Sequence, residues 1–219
     1  MERFHVNRYL SQKKRLQIKL AATDQALVQA WQRWCGDLPF VSVHEGSIFD
    51  QASDAIVSPA NSFGFMDGGI DRLYLERFGH SLQDRVQTQI RQDHAGELLV
   101  GAATLVETQD ETFPFLIAAP TMRVPVTLDS TINPFLAARA IFLLIRDGII
   151  PSGIYTGEPV RNHVKSVSLP GLGTGVGRVH PEQCSKQVRA AIEDVIMGKF
   201  IFPQTTSQIR KRHDRLIGK

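Results

Sequence analysis

Apolar positions along the chain recur with two different periods. Between Leu10 and Trp34 there is no Pro or Gly, and Leu16, Leu20, Leu27, Ala30, Trp31 and Trp34 fall at helical spacing. That stretch predicts one long helix, ended by the Gly36 stop and Pro39. From Phe40 onward, short unbroken apolar runs alternate with amphipathic ones. Residues 40–44, 54–60, 101–108, 114–120 and 163–171 predict strands. Residues 70–92, 130–148 and 180–197 predict helices; Ser130 is a cap for the second, and Pro181 stands in the first turn of the third. Strands alternating with helices predict an α/β domain whose largely parallel or mixed sheet is covered on both faces. Ligands of such sheets bind beyond the carboxyl ends of the strands. The loops that follow strands are therefore where chemistry is expected.

Composition narrows the class. At 219 residues, 42% hydrophobic and 21% charged, the chain reads as one globular domain with extensions, or two small ones, and not as a disordered segment. Cys35 and Cys184 lie far apart and form no metal or redox motif, which predicts reduced thiols in the cytosol. No apolar run approaches the roughly 18 residues of a membrane span. The first ten residues lack the apolar stretch of a signal peptide. A cytoplasmic protein without a membrane partner is the expectation. The net charge of +3 conceals an asymmetry. Residues 1–37 hold seven Lys/Arg and three acids, residues 199–219 hold six and one, and the middle holds twelve against eighteen. Basic ends suit an acidic partner or nucleic acid. Plain solvated ends are the alternative.

Two loops concentrate unusual residues. The first, Ser58 to Asp71, places Asn61, Gly64, Asp67, Gly68 and Gly69 between a predicted strand and a predicted helix. The second, Leu169 to Pro181, holds Gly171, Gly173, Thr174, Gly175, Val176 and Gly177 in the same strand-to-helix position. Such loops present backbone N–H groups with little side-chain hindrance, next to a helix N-terminus, and suit a phosphate or diphosphate. Neither carries the Gly-Lys-Ser/Thr of a Walker A loop.

These residues resemble the macrodomain family, which binds ADP-ribose. Asn61 and Asp71 stand ten residues apart, with Gly68-Gly69-Ile70 between them, as in the branch that hydrolyses ADP-ribose linkages. Gly173-Thr174-Gly175-Val176 looks like the family's second loop, and the strand ending at Pro120 like the one before the proximal-ribose region. The resemblance covers about residues 40–197. It implies a three-layer α/β/α sandwich with a mixed central sheet over residues 39–198, preceded by an N-terminal helical extension (1–38) and followed by a basic tail (199–219). Three departures stand out. Ser47, in Gly46-Ser47-Ile48, replaces the family's adenine-binding Asp; Asp67 adds a carboxylate near a diphosphate; and Gly177-Arg178 replaces an aromatic, for which Phe63 or Phe65 is a substitute.

The resemblance implies binding of ADP-ribose and hydrolysis of ADP-ribose from a modified protein or nucleic acid. Asp71 would act on water and Asn61 would hold the ribose. Ser47, Ile48, Gly68, Gly69, Ile70, Pro120, Gly171, Gly173, Thr174, Gly175, Val176 and Gly177 would line the ligand site. No cofactor and no metal are expected. The alternatives are a non-catalytic reader of ADP-ribose, a hydrolase of another phosphorylated ribose, and a fold that has lost its nucleotide. The residues also have plain structural readings: Asn61 as a turn stabiliser, Asp71 as a helix-start acid, Arg123 as an ion-pair partner.

Overall fold

A computed structural model describes residues 16–219 of the chain. Six strands form one sheet: β1 (Gln17–Ala22), β2 (Val41–Glu45), β3 (Ala55–Ser58), β4 (Thr104–Glu107), β5 (Phe115–Ala118) and β6 (Ser166–Leu169). Their spatial order is β2-β1-β6-β3-β5-β4. All neighbouring pairs are parallel except β4 with β5. The sheet is therefore mixed, with its antiparallel strand at one edge.

Among the described residues seven α-helices accompany it: α1 (Gln25–Cys35), α2 (Gly69–Phe78), α3 (Ser81–Asp93), α4 (Asn133–Asp147), α5 (Val160–His163), α6 (Pro181–Ala191) and α7 (Thr206–Leu216). Side chains of a strand alternate between faces. Ala55 and Val57 of β3, with Phe115 and Ile117 of β5, join the core formed with α1, α4 and α6. Ile56, Leu116 and Ala118 join the one formed with α2 and α3. The strands read as unbroken apolar runs because both faces are buried. This is the three-layer α/β/α sandwich expected from the sequence. Both cysteines are free and buried, and desolvation pushes each thiol up to about 12.

The ends differ from the expectation. The predicted helix from Leu10 onward holds only over α1; its portion before Leu16 lies outside the described residues. Gln17–Ala22 is instead β1, an interior strand paired with β2 on one side and β6 on the other. Ile18 and Leu20 are fully buried in the sheet. Residues 17–38 are thus part of the sandwich rather than a helical extension to it. The predicted helix over 70–92 is two helices, broken at Gly79, whose φ of +83° favours glycine. The basic tail contains α7, whose Arg212 pairs with Asp194 and whose Leu216 carbonyl accepts from Gln183 and Gln187 of α6. Among the described residues, no helix is long and apolar enough to cross a membrane.

Candidate functional site

The carboxyl ends of the five mutually parallel strands point to one rim of the sheet. The chain leaving each of them contributes to a single cleft of about 600 Å³. At the end of β1 come Ala22 and then Thr23 and Asp24; after β2, Gly46, Ser47 and Ile48; after β3, Pro59 to Asn61 and then Asp67 to Asp71. After β5 come Thr121 and Met122, and after β6, Pro170, Gly171 and Gly173 to Gly177. Of the residues expected from the sequence to catalyse or to line the ligand site, all line this cleft except Pro120, which is buried. Thr121 lines it instead; its hydroxyl donates to the Pro59 carbonyl at 3.1 Å and so holds the β5 exit against the first loop.

The first loop is tied down from within. The Asn61 side chain accepts the N–H groups of Phe63 (3.1 Å) and Phe65 (3.3 Å) through Oδ1 and donates through Nδ2 to the Phe65 carbonyl at 2.8 Å. Gln83 of α3 accepts the Met66 N–H at 2.8 Å. Arg123 engages Glu97 through two nitrogens, at 2.6 and 3.2 Å, and covers the Phe63 ring. Of the two aromatic candidates, it is Phe65 that lines the cleft, half exposed. At the end of the loop α2 begins without a side-chain cap at Gly68, so its first N–H groups open into the cleft.

Asp71 sits in the first turn of α2 and is 7% exposed. It accepts the Ser58 hydroxyl through Oδ1 at 2.5 Å. Burial pushes its carboxyl up to about 7; the Ser58 hydrogen bond opposes that, and the negative charge of Asp67 adds to it. A group balanced near neutrality can both take and return a proton under physiological conditions.

The second loop is arranged differently. The carbonyls of Gly173, Gly175 and Gly177 accept from Val179, Arg178 and Leu128. The five consecutive N–H groups from Gly173 to Gly177, by contrast, donate to no acceptor among the described residues. Gly173 and Gly177 are themselves buried. Backbone donors left unpaired in a folded protein are rare and call for a ligand or solvent. Among the described residues no Lys, Arg or His lines the cleft, so the groups there that suit an anion are these amides and the α2 N-terminus.

Sequence reasoning missed the β1 exit altogether, because the long-helix reading placed Ala22–Asp24 mid-helix. The only available signal was the Thr23-Asp24 pair, a capping pattern inside the predicted helix. Asp24 does cap α1, accepting the Leu27 N–H at 2.9 Å. The Ser47 hydroxyl accepts the Phe49 N–H at 3.2 Å and caps a short turn over Ile48–Asp50.

The family model for the Macro domain matches residues 57–188. An uncharacterised protein of Aquifex aeolicus is 31% identical over 155 residues, covering 71% of this chain and 80% of its own. Among solved structures, the macrodomain of Mycobacterium tuberculosis DarG gives a TM-score of 0.54 at 18% identity, over 69% of this chain and 88% of that one. The macrodomain of Thermus aquaticus DarG gives 0.51 at 16% identity, over 68% and 87%. At such identities the likeness is one of fold. The matched segment includes both glycine-rich loops but begins after β1, α1 and β2.

Proposed function

The chain belongs to the Macro domain family, and on that premise we propose that it binds ADP-ribose in the cleft and hydrolyses ADP-ribose from a modified target. The observation that carries the reading is the run of five N–H groups from Gly173 to Gly177 without a partner among the described residues, in the same cleft as the uncapped start of α2. A diphosphate meets those donors without needing a cationic side chain. Gripping the diphosphate fixes the attached ribose beside the β3 exit, where Asp71 stands. A water bonds to the anomeric carbon as the bond to the target breaks, and Asp71, ionised in part at neutral pH, takes the water's proton.

One observation favours a second reading, a non-catalytic reader of ADP-ribose. The Asn61 amide is occupied by its own loop through three hydrogen bonds, which leaves one N–H to hold a ribose hydroxyl. Calorimetric titration with ADP-ribose tests binding. A release assay on Asp/Glu-linked and nucleic-acid-linked ADP-ribose then separates enzyme from reader. On the hydrolase reading Asp71→Ala cuts turnover by a factor on the order of 10² and leaves affinity nearly unchanged, the mark of a group used mainly in the transition state. Binding without release from any of these substrates would favour the reader.

A further inference from the structure

Three carboxylates line the cleft: Asp71, Asp67 and Asp24. Asp24 has no part in the chemistry described above. We propose that Asp24 recognises the exocyclic amine of the ligand's purine and so selects an amino-purine over an oxo-purine. The proposal rests on the reading that the cleft takes ADP-ribose.

The order of the strands carries the argument. β1, β6 and β3 are successive neighbours in the sheet. Asp71 follows β3, the N–H cradle follows β6, and Asp24 follows β1. At the usual strand spacing of about 4.8 Å, the exits of β1 and β3 lie about 10 Å apart with the cradle between them. ADP-ribose is likewise linear, with its diphosphate between the base-bearing half and the distal ribose. With that ribose at the β3 exit and the diphosphate over the β6 loop, the base falls at the β1 and β2 exits.

That end of the cleft has the composition a purine needs. Ala21, Ala22, Leu27 and Ile48 offer apolar wall for the ring faces. Of the other polar side chains there, Asp50 and Ser47 are engaged within their own turn; the Thr23 hydroxyl, beside Asp24, can both donate and accept and so does not separate an amine from a carbonyl. Asp50 accepts the Ser47 N–H at 2.8 Å and pairs with His44 at 2.7 Å. The Ser47 hydroxyl caps its own turn. Asp24 uses only Oδ1 for the Leu27 N–H, and Oδ2 has no partner among the described residues. A carboxylate oxygen accepts from an amine and repels a purine carbonyl, as in groove recognition of amino-bearing bases.

The test compares ADP-ribose with its hypoxanthine analogue by calorimetry, using the full chain. Asp24→Ser keeps a helix-capping oxygen and therefore the fold, which thermal unfolding checks. Asp24→Asn keeps the cap and adds an N–H donor. The parent is expected to prefer ADP-ribose by about tenfold, the scale of one charge-assisted hydrogen bond. Asp24→Ser should weaken ADP-ribose by about that factor and abolish the preference. Asp24→Asn should shift the preference toward the hypoxanthine analogue. A parent that binds ADP-ribose without preference, or an Asp24→Ser protein that keeps the preference, overturns this assignment alone. A parent that binds neither ligand overturns both this assignment and the function on which it rests.

Discussion

In the first glycine-rich loop Asn61 ties together the backbone of Phe63 and Phe65, and Gln83 holds Met66. In the second, carbonyls of alternate glycines brace the loop while five successive N–H groups have no partner among the described residues. The two read alike in the sequence, as glycine-rich turns between a strand and a helix. Their difference lies in which backbone groups the protein satisfies internally. A self-bonded loop sets shape and positions Asp71; a loop with donors left over offers binding. The glycines do not divide the same way, since each loop holds crowded and open positions: a Cβ on Gly64 of the first would lie 2.9 Å from the Ile90 and Val86 side chains, and one on Gly175 of the second would meet nothing within 4 Å. A Cβ on Gly68 would meet nothing within 4 Å, whereas one on Gly177 would lie 2.5 Å from the Gly173 carbonyl oxygen.

The largest effect is expected from Gly175→Glu. The position has open space for a side chain, so the fold should survive while the added carboxylate opposes a diphosphate across the donors. Calorimetry should detect no ADP-ribose binding, and binding as in the parent would remove the second loop from the ligand site. Next comes the acid at the end of the first loop. The unfolded Asp71 carboxyl titrates near 3.8 and the folded one near about 7. Between those values the native state holds a proton that the unfolded state has released. Stability from this group is therefore complete below about pH 4 and is lost as pH rises toward 7, by about 1.4 kcal/mol per unit. Asp71→Asn should remove that slope from denaturant titrations and leave the variant more stable than the parent above pH 7. An unchanged slope would mean the carboxyl titrates normally.

Gly177→Ala should cost about 3 kcal/mol, because a backbone oxygen cannot move aside as a side chain can. Gly68→Ala should stay within about 0.5 kcal/mol. Equal midpoints for the two variants would mean that the Gly173 carbonyl yields to the added methyl group. Asn61→Ala falls between those two, expected to cost about 1–2 kcal/mol by removing the loop's internal hydrogen bonds. Its sharper signature is faster hydrogen exchange at the Phe63 and Phe65 amides, with the Gly173–Gly177 segment unaffected.

Much of this was legible in the residues. Strands buried on both faces declare themselves as short apolar runs, which is why β3, β5 and β6 and the loops after β3 and β6 could be found. β1 was not, for a physical reason. Leu16 and Leu20 stand four apart, as do Leu27 and Trp31. With no Gly or Pro between, a six-residue strand followed by a two-residue turn continues the helical spacing. Only the partners β2 and β6 reveal it. The same error hid Asp24. α7 escaped because no residue in it is fully buried; the Arg212 pair with Asp194, the Leu216 carbonyl bonds to Gln183 and Gln187, and the single Leu216 side chain against the core hold it, and one apolar contact makes no period. The bonding of Asn61 was out of reach as well, since its partners depend on backbone angles rather than spacing.

The place of β6 also bears on how the molecule is made. β1 with β2, and β3 with β5 and β4, are two sets of strands that can pair before residue 166 has been synthesised. β6 then enters between them, pairing Ile18 with Val167 and Ala55 with Val167, partners more than a hundred residues apart in sequence. Pairing so distant in sequence is slow. Until it occurs, β1 and β3 each present an open edge, the kind of surface on which unfinished chains aggregate. The strand that joins the two half-sheets also carries the five-amide loop, so the ribosome must release most of the chain before either a closed sheet or a binding cleft exists. Chains stalled before Ser166 should be cut readily by protease, and chains that extend past α6 should resist.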